Sequence, residues 1–189
     1  MKRIENVQKG DFVVIVGASG SVGHALVQIA KALGAFPIAL VSSQEKAEKA
    51  LNAGAFASIN WKEENVVEKV KILTKNKGAD FGFDPVGGEI FRSIKTQRTL
   101  ISIGFTGGLN TKINLLDLIS TEISIKGYSL FFESLEEAQP GLVNLMDLLE
   151  KFDFIKPDVD STYILKDFEK AYEKLLSRQA LGSITLPFD

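Results

Sequence analysis

Residues 12–34, FVVIVGASGSVGHALVQIAKALG, constrain the fold more than any other stretch. Phe12 to Val16 is an apolar run of strand length, suited to burial on both faces of a parallel sheet, and it stops at Gly17. From Val22 onward Val22, Leu26, Ile29, Ala30 and Leu33 return at helical spacing, which makes one apolar helix face. Between strand and helix stand Gly17, Gly20 and Gly23, so a backbone with few side chains can turn tightly and bring its N–H groups against a ligand. At a helix N-terminus the unpaired amides and the positive end of the dipole both favour a phosphate. Gly34 is the expected C′ residue of that helix.

The P-loop pattern fails, because Val22 stands where its second glycine belongs and His24 follows Gly23 where its lysine would be. The strand, glycine turn, helix and following strand instead match a Rossmann unit, whose ribose contact comes at the tip of the second strand. That tip is Ser42, not a carboxylate. Hydroxyls at Ser42 and Ser43, with the Lys46 ammonium one turn on, suit a 2′-phosphate and hence NADP(H); the plain alternative is that Lys46 only solvates a helix face. Glu45, inside the helix, is a poorer ribose ligand. A methyltransferase using S-adenosylmethionine would also want an acid after the second strand. A short-chain dehydrogenase needs Tyr-x-x-x-Lys, which Tyr128 and Tyr172 lack and which Tyr163 misses, with Lys166 one place too early.

Further along, the pattern predicts strands at Phe36–Val41, Ala57–Ile59, Asp80–Phe83, Leu100–Ile103 and Ile123–Gly127. Helices are expected at Gln44–Asn52, closed by Gly54, at Lys62–Thr74, and from Glu89 to about Thr96. Pro85 should end the fourth strand, and Gly104–Gly108 should be a loop. This alternation predicts an α/β fold: a doubly wound, parallel, six-stranded Rossmann sheet. A long helix over Glu133–Lys151 breaks the alternation, followed by a strand at Thr162–Leu165, a helix at Lys166–Ser177 and a last strand at Ile184–Leu186. The division expected is 1–151 for the NADP(H)-binding domain and 152–189 for a C-terminal helix/strand extension.

Composition narrows the function classes. A formal net charge of −2 gives no cause to expect nucleic acid, and no apolar run reaches the roughly 18 residues of a membrane span. MKRIENVQKGD has no apolar stretch after its basic residues, so no signal peptide is expected. With no cysteine, disulfides and thiolate catalysis are excluded; with a single histidine, a built-in zinc site is not expected. A soluble cytoplasmic protein is the simplest expectation. His24 either approaches the cofactor or packs on a neighbouring loop, and packing is favoured; no acid–base role rests on it.

Six blocks in order then resemble one family: GASGSVGHALVQIAKALGA at 17–35, VSSQEKAEKALNAGA at 41–55, ASINWKEEN at 57–65, DFGFDPVGG at 80–88, LISIGFTGG at 100–108 and LLSRQALGSITL at 175–186. They resemble the medium-chain dehydrogenase/reductases, and among them the zinc-independent quinone oxidoreductases. The resemblance implies NADPH along the C-terminal edge of the sheet. It implies Ser19, Gly20, Ser21 and Val22 at the pyrophosphate, and Ser42, Ser43 and Lys46 at the 2′-phosphate. Trp61, where the family usually has tyrosine, would stack on the adenine or fill core, without the phenol's hydrogen bond. Val86 and Gly87, with Ile103, Gly104 and Phe105, would line the nicotinamide half; Phe105 could also be loop packing, and Tyr128 a neighbour of the nicotinamide or an interface residue.

In that family a catalytic domain comes first, so a domain on the order of 100 residues is expected to be missing and no catalytic residue is assigned. The expected role is the NADPH-binding domain of a reductase passing hydride to a quinone or enone. The alternatives are a non-catalytic dinucleotide-binding or interaction module, or the enoyl-reductase segment of a multidomain synthase. The family also implies a homodimer joined edge to edge at the sixth strand, Ser124–Leu130, and a tail whose strand has lost its partners and leaves apolar surface exposed.

Overall fold

The computed structural model describes Met1, residues 5–87 and residues 90–188. β1 (Phe12–Val16) lies between β2 (Phe36–Val41) and β4 (Ala79–Asp84), with β3 (Ala57–Asn60) outside β2, and β5 (Ile94–Ser102) and β6 (Ser124–Gly127) outside β4. The order β3-β2-β1-β4-β5-β6 is parallel throughout, with Val14 opposite Ile38 on one side and Gly82 on the other. The chain moves outward from β1 to β3 and then crosses to β4, so strand order reverses between β1 and β4. Ligands of open α/β sheets bind at the carboxyl ends of such a pair.

Side chains alternate across the sheet and both faces are covered. Val13 and Ile15 join Ala39, Phe81, Phe83 and Ile101 on one face, against α1 (Ser21–Ala32) and α2 (Gln44–Ala53). Val14 and Val16 join Ile38, Leu40, Ile59 and Leu100 on the other, against Val70 of α3 (Val66–Leu73). Burial on both faces is why β1 and β2 read as unbroken apolar runs.

Several expectations need correction. No helix spans Glu89–Thr96: Glu89 lies outside the described residues, Phe91–Ser93 is one 3₁₀ turn, and β5 starts directly at Ile94. Only residues 85–93 separate β4 from β5, too few for a usual crossover helix, and buried Ile90, Phe91 and Ile94 fill the face instead. The register jumps from Ala79↔Ile94 to Phe81↔Thr99, so Lys95–Arg98 bulge outward, with Gln97 at φ 59°. The third helix begins later than expected. Residues 61–64 form a turn in which Glu63 and Glu64 N–H donate to the Asn60 carbonyl, and Asn65 then caps α3. Sequence periodicity also missed α4 (Leu115–Thr121), a short helix capped by Asn114.

In the tail, α5 (Leu135–Lys151) has the capping box Ser134/Glu137. The strand expected at Thr162–Leu165 is β7 (Val159–Thr162), and a 3₁₀ turn at Leu165–Asp167 precedes α6 (Phe168–Leu176). The last strand is β8 (Ser183–Thr185), one residue earlier than expected, and β7 and β8 pair with each other in a separate two-stranded sheet. Apolar surface is exposed nearby: Phe131 is 99% accessible, and Leu130, Phe132, Leu135 and Leu142 are also open. Among the described residues no helix is long and apolar enough to cross a membrane.

Candidate functional site

The loops after β1, β2, β4 and β5 meet along the carboxyl edge of the sheet. At the first, Gly17 takes φ 61° and its carbonyl accepts from Gly20 N at 3.0 Å. Gly23 has no substitute, since a Cβ there would lie 2.2 Å from the Gly17 carbonyl oxygen and 2.7 Å from Ala18 Cα. Such close helix-to-strand approach is what the third glycine of a dinucleotide turn provides. Helix α1 then starts with Gly20 as an extended N-cap, no side-chain cap and no acid in its first turn. By contrast α2, α3, α4 and α5 each have a side-chain cap and an acidic residue in the first turn. The first amides of α1 are thus left for an anion. Ser19 is buried within the turn, while Ser21 and Val22 are exposed at its mouth.

At the tip of β2, Ser43 Oγ accepts from Lys46 N at 3.4 Å, so this hydroxyl serves as the cap of α2. Ser42 Oγ lies 3.5 Å from Lys46 Nζ. Burial, and then the charge of Lys62, hold the Lys46 ammonium below its usual pKa. Trp61 follows β3, its N–H donating to the Val41 carbonyl at 3.1 Å, and its side chain is 53% exposed. It is therefore not a core residue, and Lys62 Nζ lies 5.7 Å from its ring centroid.

Across the switch point, buried Asp84 organises the β4 loop. Its Oδ1 accepts from Val86 N at 2.9 Å and Gly87 N at 2.7 Å, and its carbonyl accepts from Ile103 N at 2.9 Å. A Cβ on Gly17 would come 2.9 Å from Val86 Cγ2, so the β1 and β4 loops touch. Gly104 is as constrained, with Pro85 O 2.2 Å from where its Cβ would be. Ile103 packs on the core edge while Phe105 is 69% exposed beyond it. Tyr128 packs against the first core cluster, and its hydroxyl donates to Glu133.

His24 faces away from this cleft. Its Nε2 is 2.7 Å from Gln28 Nε2, and its Nδ1 has no hydrogen-bond partner and lies 3.8 Å from Asp158 Oδ2 in the tail. Burial lowers its pKa, Asp158 partly offsets this, and Lys49 adds to the lowering. The packing reading of this histidine is the one the geometry supports.

Arg178 was not legible in the sequence. Its carbonyl accepts from Lys46 Nζ at 2.8 Å, and its guanidinium donates to the Thr106 carbonyl at 3.1 Å. A single arginine after a helix gives no local signal, and only the fold brings it to the β2 tip. Among the described residues no group of three or more histidine, cysteine, aspartate or glutamate side chains could hold a metal ion.

A family model described as zinc-binding dehydrogenase matches residues 21–147. A quinone oxidoreductase of Salmonella typhimurium is 34% identical over 98% of this chain and 59% of its own length. A 2-haloacrylate reductase of Burkholderia is 28% identical over 98% of this chain and 58% of its own. The crystal structure of Escherichia coli quinone oxidoreductase complexed with NADPH superposes with a TM-score of 0.87 and 31% identity, covering 98% of this chain and 60% of that one. The chain thus spans about three fifths of the length of these relatives.

Proposed function

The chain belongs to the zinc-binding dehydrogenase family, on its quinone oxidoreductase-like branch, and from that premise we propose that it is the NADPH-binding part of a reductase acting on a quinone or enone. The observation that carries this is the β2 tip: Lys46 and Ser42 stand where a carboxylate would take the ribose of NADH, beside an α1 N-terminus open to the diphosphate. The E. coli quinone oxidoreductase solved with NADPH shares this fold along 98% of the chain.

In this reading the amides of Ser21 and Val22 hold the diphosphate, and Gly20 and buried Ser19 shape the turn around it. Lys46 and Ser42 take the 2′-phosphate, Ser43 keeps α2 aimed at it as a cap, and Trp61 offers a ring for stacking. Val86, Gly87, Ile103, Gly104 and Phe105 form the wall at the nicotinamide, held by Asp84. Bound NADPH supplies a hydride, and the chain's own contribution is position and a sheltered edge. The zinc of the family description is not carried over to this chain, which has no cysteine and one histidine to offer as soft ligands.

Residues 1–151 form the cofactor domain in this reading and 152–189 an extension that belongs with the catalytic part of the relatives. The exposed outer edge of β6 is proposed to pair with its counterpart in a second copy, and the cysteine-free sequence suits a cytoplasmic setting. Calorimetric titration with NADPH and NADH, with a quinone turnover assay beside it, tests the proposal. NADPH binding is expected, and binding of neither nucleotide would overturn it.

A further inference from the structure

Past α6 the chain does not leave the cleft. Residues 177–183 lie against three parts of it: Arg178 O on Lys46, the Arg178 guanidinium on Thr106 O, and Ser183 Oγ on Ser21 Oγ at 2.9 Å. Each contact belongs to a different portion of the dinucleotide site, at the 2′-phosphate, the nicotinamide loop and the diphosphate turn.

This strap is fastened outside the cleft by β7. Ser183 N donates to Asp158 O at 2.8 Å, and Leu181 N donates to Asp160 Oδ1 at 2.9 Å. Asp158 itself is gripped by α2, with Oδ2 2.6 Å from Lys49 Nζ, both side chains only about one-fifth exposed. A Cβ on Gly182 would lie 2.6 Å from the same Oδ2, so the carboxylate fits directly beneath the turn of the strap. A cavity of about 410 Å³ opens between α1, α2 and the tail, lined by Gln28, Glu48, Lys49, Phe154 and Asp158 among others. With that space between them, the tail is seated on α1 and α2 by polar anchors: Lys156 N on Gln28 Oε1 at 3.0 Å, Ser183 on Ser21, and the Asp158–Lys49 pair.

We propose that Asp158 and Lys49 are positioning residues that seat the strap 177–183 across the dinucleotide cleft and so keep Arg178 between Lys46 and Thr106. The inference rests on the NADPH reading of that cleft. Lys49 lies one helical turn from Lys46, so the same helix that presents Lys46 to the phosphate fixes the height of the strap above it. When a 2′-phosphate enters, Lys46 exchanges a neutral carbonyl for a charged partner, and the seated strap keeps the guanidinium close by.

The test is calorimetric titration of NADPH and NADH into the full chain and into Lys49→Met, Asp158→Asn, Lys49→Arg, Arg178→Ala and Lys49→Met/Arg178→Ala, with melting temperatures recorded. Lys49→Met and Asp158→Asn should each weaken NADPH about fivefold, and NADH less, while Lys49→Arg retains affinity. In the Arg178→Ala background Lys49→Met should cost nothing more, because its effect runs through the strap. Additive losses, equal losses for both nucleotides, or no loss would overturn the positioning role while leaving the cofactor reading intact. Failure of the unaltered chain to bind either nucleotide would overturn both.

Discussion

In the proposed reading, cofactor choice turns on Lys46. Its ammonium is partly desolvated, and among the described residues its hydrogen bonds run to Ser42 Oγ and the Arg178 carbonyl, neither of them a charge, so a phosphate dianion would gain from it. Lys46→Ala should weaken NADPH by about 1–3 kcal/mol and leave NADH nearly unchanged, as read by calorimetry. Equal losses would make it a surface charge only. Gly23 allows no such tuning: Gly23→Ala drives a methyl into the Gly17 carbonyl, and thermal unfolding should show a loss of at least about 1–3 kcal/mol. His24 gives the chain a pH dependence near neutrality. Its folded pKa lies below the unfolded value of about 6.5, so the unfolded chain takes up the proton first. Stability is therefore full above that unfolded value and is lost as pH falls from it towards the lowered folded pKa. The groups around the imidazole are Asp158 of the tail, Lys49, Glu45 and Glu48 of α2, and Gln28 of α1. Melting temperatures at pH 7.5, 6.5 and 5.5 should fall in the native chain and fall less in His24→Gln.

Among the elements, the first βαβ unit was legible almost residue by residue. Strands β1 and β2, helices α1 and α2, and the ends at Gly34 and Gly54 all follow from apolar runs, helical spacing and glycines at positive φ. The crossover from β4 to β5 was not. Ile90, Phe91 and Ile94 look helical in spacing, but pairing of β5 with β4 claims Ile94 for the sheet and leaves room for one 3₁₀ turn. In the tail, β7 and β8 depend on Asp160, whose pKa is brought down to about 2 by its hydrogen bond to Lys174, with further help from Leu181 N–H. A depressed carboxylate pKa stabilises above the unfolded value of about 3.9, and that stability disappears as pH falls through about 2. The protection of the Ser183 and Thr185 amides from exchange, relative to the unfolded chain at the same pH, should therefore fall between about pH 4 and 2, and Asp160→Asn should lower it at neutral pH. Unchanged exchange in Asp160→Asn would count against the role of Asp160 in the small sheet.

On the scale of the whole molecule, the apolar surface is the feature that solvent alone does not suit. Phe131, Phe132, Leu130 and Leu135 follow directly after the exposed edge of β6, and Ile125 on that edge is open as well. Sedimentation over a range of concentrations is expected to show a dimer, and Ile125→Pro, which removes an edge donor, should shift it towards monomer. A monomer at every concentration would remove the dimer. Local pattern determined the α/β class, the six parallel strands and the glycine turn, because each is encoded by neighbours along the chain whose burial sets their period. It also singled out Ser42 and Lys46 as candidates, since they follow the end of the second strand, whereas Val86 and Gly104 came from the family resemblance. Tertiary structure alone decided the rest: that Ser43 is used as a cap, that Trp61 is open, and that β7 and β8 pair with each other. It alone set Arg178 against Lys46, 132 positions away, because such contacts arise from where packing brings separate segments, which no local spacing encodes.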